Sequence, residues 1–148
     1  MQLTYEDIKK GKLLFKGKYE KCFSFQGREV FVLNNGDTYQ RQDSFIIPLI
    51  DFYKDVLLYQ IENFVAIIFI HNDMFTIVKK VEIIESKIIN EFSGFDDGNK
   101  YELENGQTWQ QIDGSVFPCT SSGFVKILNN KIIKIDNWDI YPRVIKIQ

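Results

Sequence analysis

The chain has 148 residues, 45% of them hydrophobic and 15% aromatic, which excludes a disordered polymer and leaves room for one ordinary domain or two very small ones. Eighteen basic residues meet 20 acidic ones, and this balance argues against a nucleic-acid-binding module, which carries a basic face. Its longest apolar stretch, residues 64–70, is too short to cross a membrane and reads as a buried strand. Ala66 is the single alanine, while Ile occurs 21 times and Phe 13 times. That bias suits β structure, because β-branched and aromatic side chains pack well on a pleated surface.

In chain order, Thr4 followed by Glu6 and Asp7 predicts a short helix that Thr4 caps and Gly11 ends. Residues 9–21 hold six lysines and read as a solvated start to the fold. From there the hydrophobic period is two. Residues 29–33 and 38–42 flank Asn35-Gly36, a hairpin signal whose two tip positions are expected at positive φ. Pro48 interrupts an apolar run between residues 44 and 53, which predicts a loop or a short helical turn. Residues 56–61, 64–70 and 75–81 read as three strands joined by turns at Glu62-Asn63 and His71-Asn72-Asp73. The domain boundary is set at Glu85, giving units of 1–85 and 86–148. In the second unit, residues 100–103 and 108–112 flank Asn105-Gly106, residues 124–128 and 131–135 flank Asn129-Asn130, and 143–147 form a terminal strand.

The second hairpin repeats the first. At an offset of seventy, Leu33, Asn35, Gly36, Thr38 and Gln40 meet Leu103, Asn105, Gly106, Thr108 and Gln110. Aromatics match at Phe31 with Tyr101, Tyr39 with Trp109 and Phe25 with Phe95. A fixed offset implies two copies of one small β unit. Units of about seventy residues bury little core alone, so the copies are expected to pack together.

Glu85-Ser86-Lys87-Ile88, Phe92-Ser93-Gly94-Phe95-Asp96-Asp97-Gly98 and the run from Leu103 to Gln111 resemble a group of small uncharacterised bacterial proteins. Those carry a Gly-aromatic-Asp-Gly segment and then a Leu-x-Asn-Gly-Gln-x-Trp-x-Gln hairpin. The likeness covers about a fifth of the chain and is weaker in the first copy, where Asp37 and Tyr39 stand for Gln and Trp. It implies a mainly β chain of two tandem antiparallel Src-homology-3-like (SH3-like) barrels, with the short helix in front, and implies no activity. The second copy is ambiguous: either residues 123–135 or residues 141–145 take the place of the strand at 53–59. In the latter case its closing strands are missing and an open edge needs cover.

No constellation rises to a catalytic or metal signature, so no cofactor is expected. His71 is the one histidine and lacks ligand partners by spacing. Asp96-Asp97-Gly98-Asn99 lacks the length of a calcium loop and reads as a tight turn. Cys119 has no base nearby in sequence and reads as an inert thiol, while Cys22 reads as a core residue. Gln40, Gln110 and Gln111 read as amides that satisfy backbone beside packed aromatics.

The binding residues expected from sequence are Phe52, Tyr53, Tyr39, Trp109, Trp138 and Tyr141, because aromatics dominate interface hot spots and loops carry function. The expected role is a non-catalytic one: binding another protein through aromatic loops or an exposed sheet edge, with self-association as a second use of that edge. The alternatives are an inhibitor of a bacterial enzyme, such as an immunity protein or a phage-encoded anti-defence protein, and a small hydrolase using Cys119. With no signal peptide visible at the start, the expected compartment is the cytoplasm and the expected thiol state reduced.

Overall fold

A computed structural model describes residues 3–43, 54–72, 74–90, 96–114, 123–136 and 140–148. The protein is mainly β and divides into two compact units, Met1–Val81 and Glu82–Gln148. The boundary set at Glu85 therefore falls inside a strand of the second unit. That strand spans Ile83–Lys87 and, among the described residues, pairs forward in the chain with residues 124–128.

In the first unit, Thr4 caps the helix α1 (Tyr5–Lys9) through a capping box: its hydroxyl accepts from the Asp7 amide, and the Asp7 carboxylate accepts from the Thr4 amide. These hydrogen bonds hold the Asp7 carboxyl below its usual pKa. Gly11 does not take the left-handed conformation expected of a helix end. It is needed for space instead, since a Cβ there would stand 2.5 Å from the Gln60 carbonyl oxygen.

Six strands follow: β1 (Lys12–Phe25), β2 (Arg28–Leu33), β3 (Thr38–Arg41), β4 (Asp55–Ile61), β5 (Phe64–Phe69) and β6 (Met74–Val81). They close an antiparallel barrel in the order β1-β2-β3-β6-β5-β4. The lysine-rich start is thus the longest strand. Its first half pairs with β4 and its second half with β2, with register shifts at Leu13/Phe15 and Tyr19/Lys21 that let it bend around the barrel. Tyr19, Phe31, Leu33, Leu58, Ile67 and Phe69 fill the core. Ala66 and Ile68 point the other way, and Ile8 of α1 covers them. Both faces of β5 are therefore buried, which is why residues 64–70 read as an unbroken apolar run.

The second unit has β7 (Ile83–Lys87), β8 (Lys100–Glu102), β9 (Thr108–Gln111), β10 (Phe124–Leu128), β11 (Ile132–Ile135) and β12 (Val144–Lys146). They form two three-stranded sheets, β11-β10-β7 and β12-β9-β8. Single bridges, Ile88 with Leu103 and Ile132 with Arg143, link strands of one sheet to strands of the other. The core between them holds Tyr101, Leu103, Trp109, Ile127, Ile133 and Val144.

The two Asn-Gly hairpins share one geometry. Val32 pairs with Thr38 and Phe31 with Tyr39, as Glu102 pairs with Thr108 and Tyr101 with Trp109. The Leu33 carbonyl accepts from Gly36, and that of Leu103 accepts from Gly106, both at 3.0 Å. Yet only the glycines take positive φ, 93° and 90°. Each turn is a type I turn followed by a left-handed glycine, not the mirror turn expected from sequence. Asn35 and Asn105 stay at negative φ because each side-chain oxygen accepts the amide two residues on, Asp37 at 2.9 Å and Gln107 at 3.0 Å. Two successive residues of positive φ occur instead at Asn129-Asn130, between β10 and β11.

Candidate functional site

Of the six aromatics expected to bind, Phe52, Tyr53 and Trp138 lie outside the described residues, as does Cys119. Tyr39 and Trp109 face inward from equivalent places on β3 and β9 and are only 7% and 0% exposed. These two are core residues: a partner would have to open the first barrel, or part the two sheets of the second unit, to reach them. Burial, and then the charge of Asp37, pushes the Tyr39 phenol above its usual pKa, which keeps the ring neutral. Trp109 donates its indole N–H to Gln107 Oε1 at 3.1 Å. Tyr141 is half-buried, and its ring lies 5.7 Å from the Lys134 ammonium.

The amides serve structure. Gln40 donates to the Phe25 carbonyl at 2.9 Å. Gln110 donates to the Gly98 carbonyl at 3.2 Å. Gln111 is buried, accepts from the Tyr101 hydroxyl and the Asp96 amide at 3.0 Å each, and donates to Asp113. Asp96 and Asn99 close a tight turn through Gly98 at a φ of 83°. His71 meets Asp55 at 2.9 Å, in an exposed pair. Among the described residues no three His, Cys, Asp or Glu side chains come close enough to hold a metal. No helix among them is long and apolar enough to cross a membrane.

What the structure does bring together is a groove on the outer face of β7, β10 and β11. Strand alternation builds it. Val125 and Ile127 of β10 point into the core, so Phe124 and Lys126 point out. Lys126 stands opposite Glu85 of β7 and opposite Lys134 of β11, and Phe124 stands opposite Lys87. The open volume is about 890 Å³, with Glu104, Asn105 and Asp136 at its border.

Phe124 is 59% exposed, the Lys87 ammonium lying 5.6 Å from its ring centre. The Asp136 carboxylate accepts the amides of Phe124 at 3.0 Å and Gly123 at 3.3 Å, so it fixes the strand start that carries the ring. Asn105, at the tip of the second hairpin, donates its amide to Ser86 Oγ at 3.3 Å and ties that tip to β7.

The groove presents a ring, three ammonium groups and three carboxylates, and no nucleophile paired with a base. A surface of this kind offers apolar contact and paired charge. Sequence reasoning passed over Phe124 as an ordinary strand residue. The signal was its parity: it shares a face with Lys126, which marks that face as the wet one.

Comparison with family models, curated proteins and solved structures finds no match for this chain.

Proposed function

We propose that this protein is a non-catalytic binding module whose groove on β7, β10 and β11 takes a segment of another protein, with Phe124 as the anchor. The observation that carries the reading is a large aromatic ring at 59% exposure within a charged groove, on a strand start whose backbone amide Asp136 accepts. Aromatic side chains, Phe among them, are enriched at the cores of protein interfaces. Lys87, Lys126 and Lys134 against Glu85, Glu104 and Asp136 make a mixed field that selects a partner by pattern and not by net charge.

We further infer that the chain is a tandem pair of related small barrels of SH3-like type. Support comes from hydrogen bonds at matching places. The Tyr19 amide donates to the Lys54 carbonyl as the Ile88 amide donates to that of Gly123. The Asn34 amide donates to Lys18 as the Glu104 amide donates to Lys87. The Gln42 amide donates to Ile77 as the Ile112 amide donates to Arg143. On this reading β7, β8, β9, β12, β11 and β10 follow one another as β1, β2, β3, β6, β5 and β4 do, and residues 123–135 supply the second copy's middle strands.

The test is affinity capture with the full chain, then titration of the captured partner. Phe124→Ala is expected to weaken binding at least tenfold, about 1.4 kcal/mol or more, with the circular dichroism spectrum unchanged. Unchanged affinity would reject the groove. A partner that is itself an enzyme, and is inhibited on binding, narrows the role to an inhibitor.

A further inference from the structure

The lysines that the barrel takes up into β1 form a second surface, in the first unit. Lys9 and Lys10 end the helical segment, and Lys12, Lys16 and Lys18 lie on the half of β1 that pairs with β4. All five are exposed. Among the described residues Lys10, Lys12, Lys16 and Lys18 enter no ion pair, and Lys9 rests over the Tyr5 ring at 4.4 Å. Acidic groups stand beside this ladder: Asp7 of α1 feels the charge of Lys10, and Glu6 and Glu20 lie on the same two elements. Asp55, opposite Lys18, is engaged by His71 at 2.9 Å, and Glu62 lies two residues beyond Gln60, which faces Lys12.

Leu13 and Leu14 sit among these lysines, 48% and 42% exposed. Consecutive residues of a regular strand point to opposite faces. Here the register shift between Leu13 and Phe15 breaks the alternation: Phe15 packs against the barrel core and both leucines are left in water. A bulge that leaves two adjacent leucines exposed, between Lys12 and Lys16 of one strand, is more than the scattered single apolar residue any surface carries.

We propose that this face of β1 and the end of α1 docks on an anionic lipid surface. The exposed apolar side chains at its centre are aliphatic, so they offer no stacking face for bases. Residues 9–21 contain no arginine, so the planar fork that recognises a fixed phosphate or carboxylate is missing. Lysine ammoniums on long stems suit a diffuse anionic layer, and leucines suit insertion below the headgroups. The attraction is local, because the whole chain carries −2. Contact of this kind lies on the bilayer and needs no crossing segment.

The proposal is independent of the groove on β7, β10 and β11, and one experiment separates them. The full chain is sedimented with phosphatidylcholine vesicles and with vesicles in which about a third of the lipid is phosphatidylserine. Binding to the anionic vesicles is expected to be at least tenfold stronger, and to weaken severalfold between about 0.1 M and about 0.5 M salt. Lys12→Glu with Lys16→Glu, and separately Leu13→Ser with Leu14→Ser, should each lower it about tenfold or more at unchanged melting temperature, since all four side chains are exposed. Phe124→Ala should leave it intact. Equal binding to both vesicle types, or unchanged binding by either double variant, would overturn the proposal. So would binding to polyglutamate or to a single-stranded oligonucleotide without binding to vesicles, which would give the patch to an acidic protein or to nucleic acid.

Discussion

Nothing lies within 4 Å of where a Cβ would stand on Gly36 or Gly106, yet both hold φ near 90°. Space is free there and backbone conformation is not. Gly36→Val or Gly106→Val should therefore cost roughly 1 kcal/mol or more in urea unfolding, because a β-branched residue tolerates the left-handed region poorly. Replacement by Asn should recover part of the loss, since Asn enters that region more readily. If Val and Asn variants are equally stable, the conformational account of these turns is wrong. Gly11 is the opposite case, with negative φ but no room. Sequence alone does not separate these two uses of glycine, because one is a local torsion and the other a contact with Gln60, forty-nine positions away.

At the scale of elements, strands with strict alternation were legible and their partners were not. Residues 100–103 and 108–112 pair as a hairpin because the turn between them is local. The pairing of β1 with β4, or of β3 with β6, depends on surfaces some forty residues apart that only meet when the barrel closes. The lysines of β1 hid a fourteen-residue strand because half of its alternation faces water. Two aspartates at the same offset of seventy tie distant segments together within each unit. Asp43 accepts from Thr76 Oγ1 at 2.6 Å and from the Ile77 amide at 3.1 Å, which ties the chain after β3 to β6. Asp113 accepts the Arg143 amide at 2.8 Å, which ties the chain after β9 to the start of β12. Asp43→Ala and Asp113→Ala should each destabilise by about 1–3 kcal/mol. Asp43→Ala should be the worse, because buried Arg41 also depends on that segment through Asp43 and, among the described residues, retains Glu29 as its one other charged partner. Equal and negligible effects on chemical denaturation would show that these ties do not hold the units together.

For the whole molecule, the two units differ in how their walls are joined. Around the first barrel every neighbouring pair of strands shares a ladder of several residues. In the second unit two of the junctions are single bridges, at Ile88 with Leu103 and at Ile132 with Arg143. Cooperative protection follows continuous ladders and buried contacts. Hydrogen exchange should therefore find the slowest amides at Ala66, Ile67 and Ile68, which are fully buried in β5. Amides of the second core, such as Ile127 and Ile133, should open at a free energy lower by about 1 kcal/mol or more. The Val144 amide decides how the second unit opens. It donates to the Lys131 carbonyl at 2.8 Å, beside the Ile132–Arg143 bridge. If β12 closes a barrel wall, Val144 exchanges together with Ile127 and Ile133 as denaturant is added. Exchange of Val144 well ahead of them would make β12 a frayed edge carried by β9 alone, and would count against reading the second unit as a closed copy of the first.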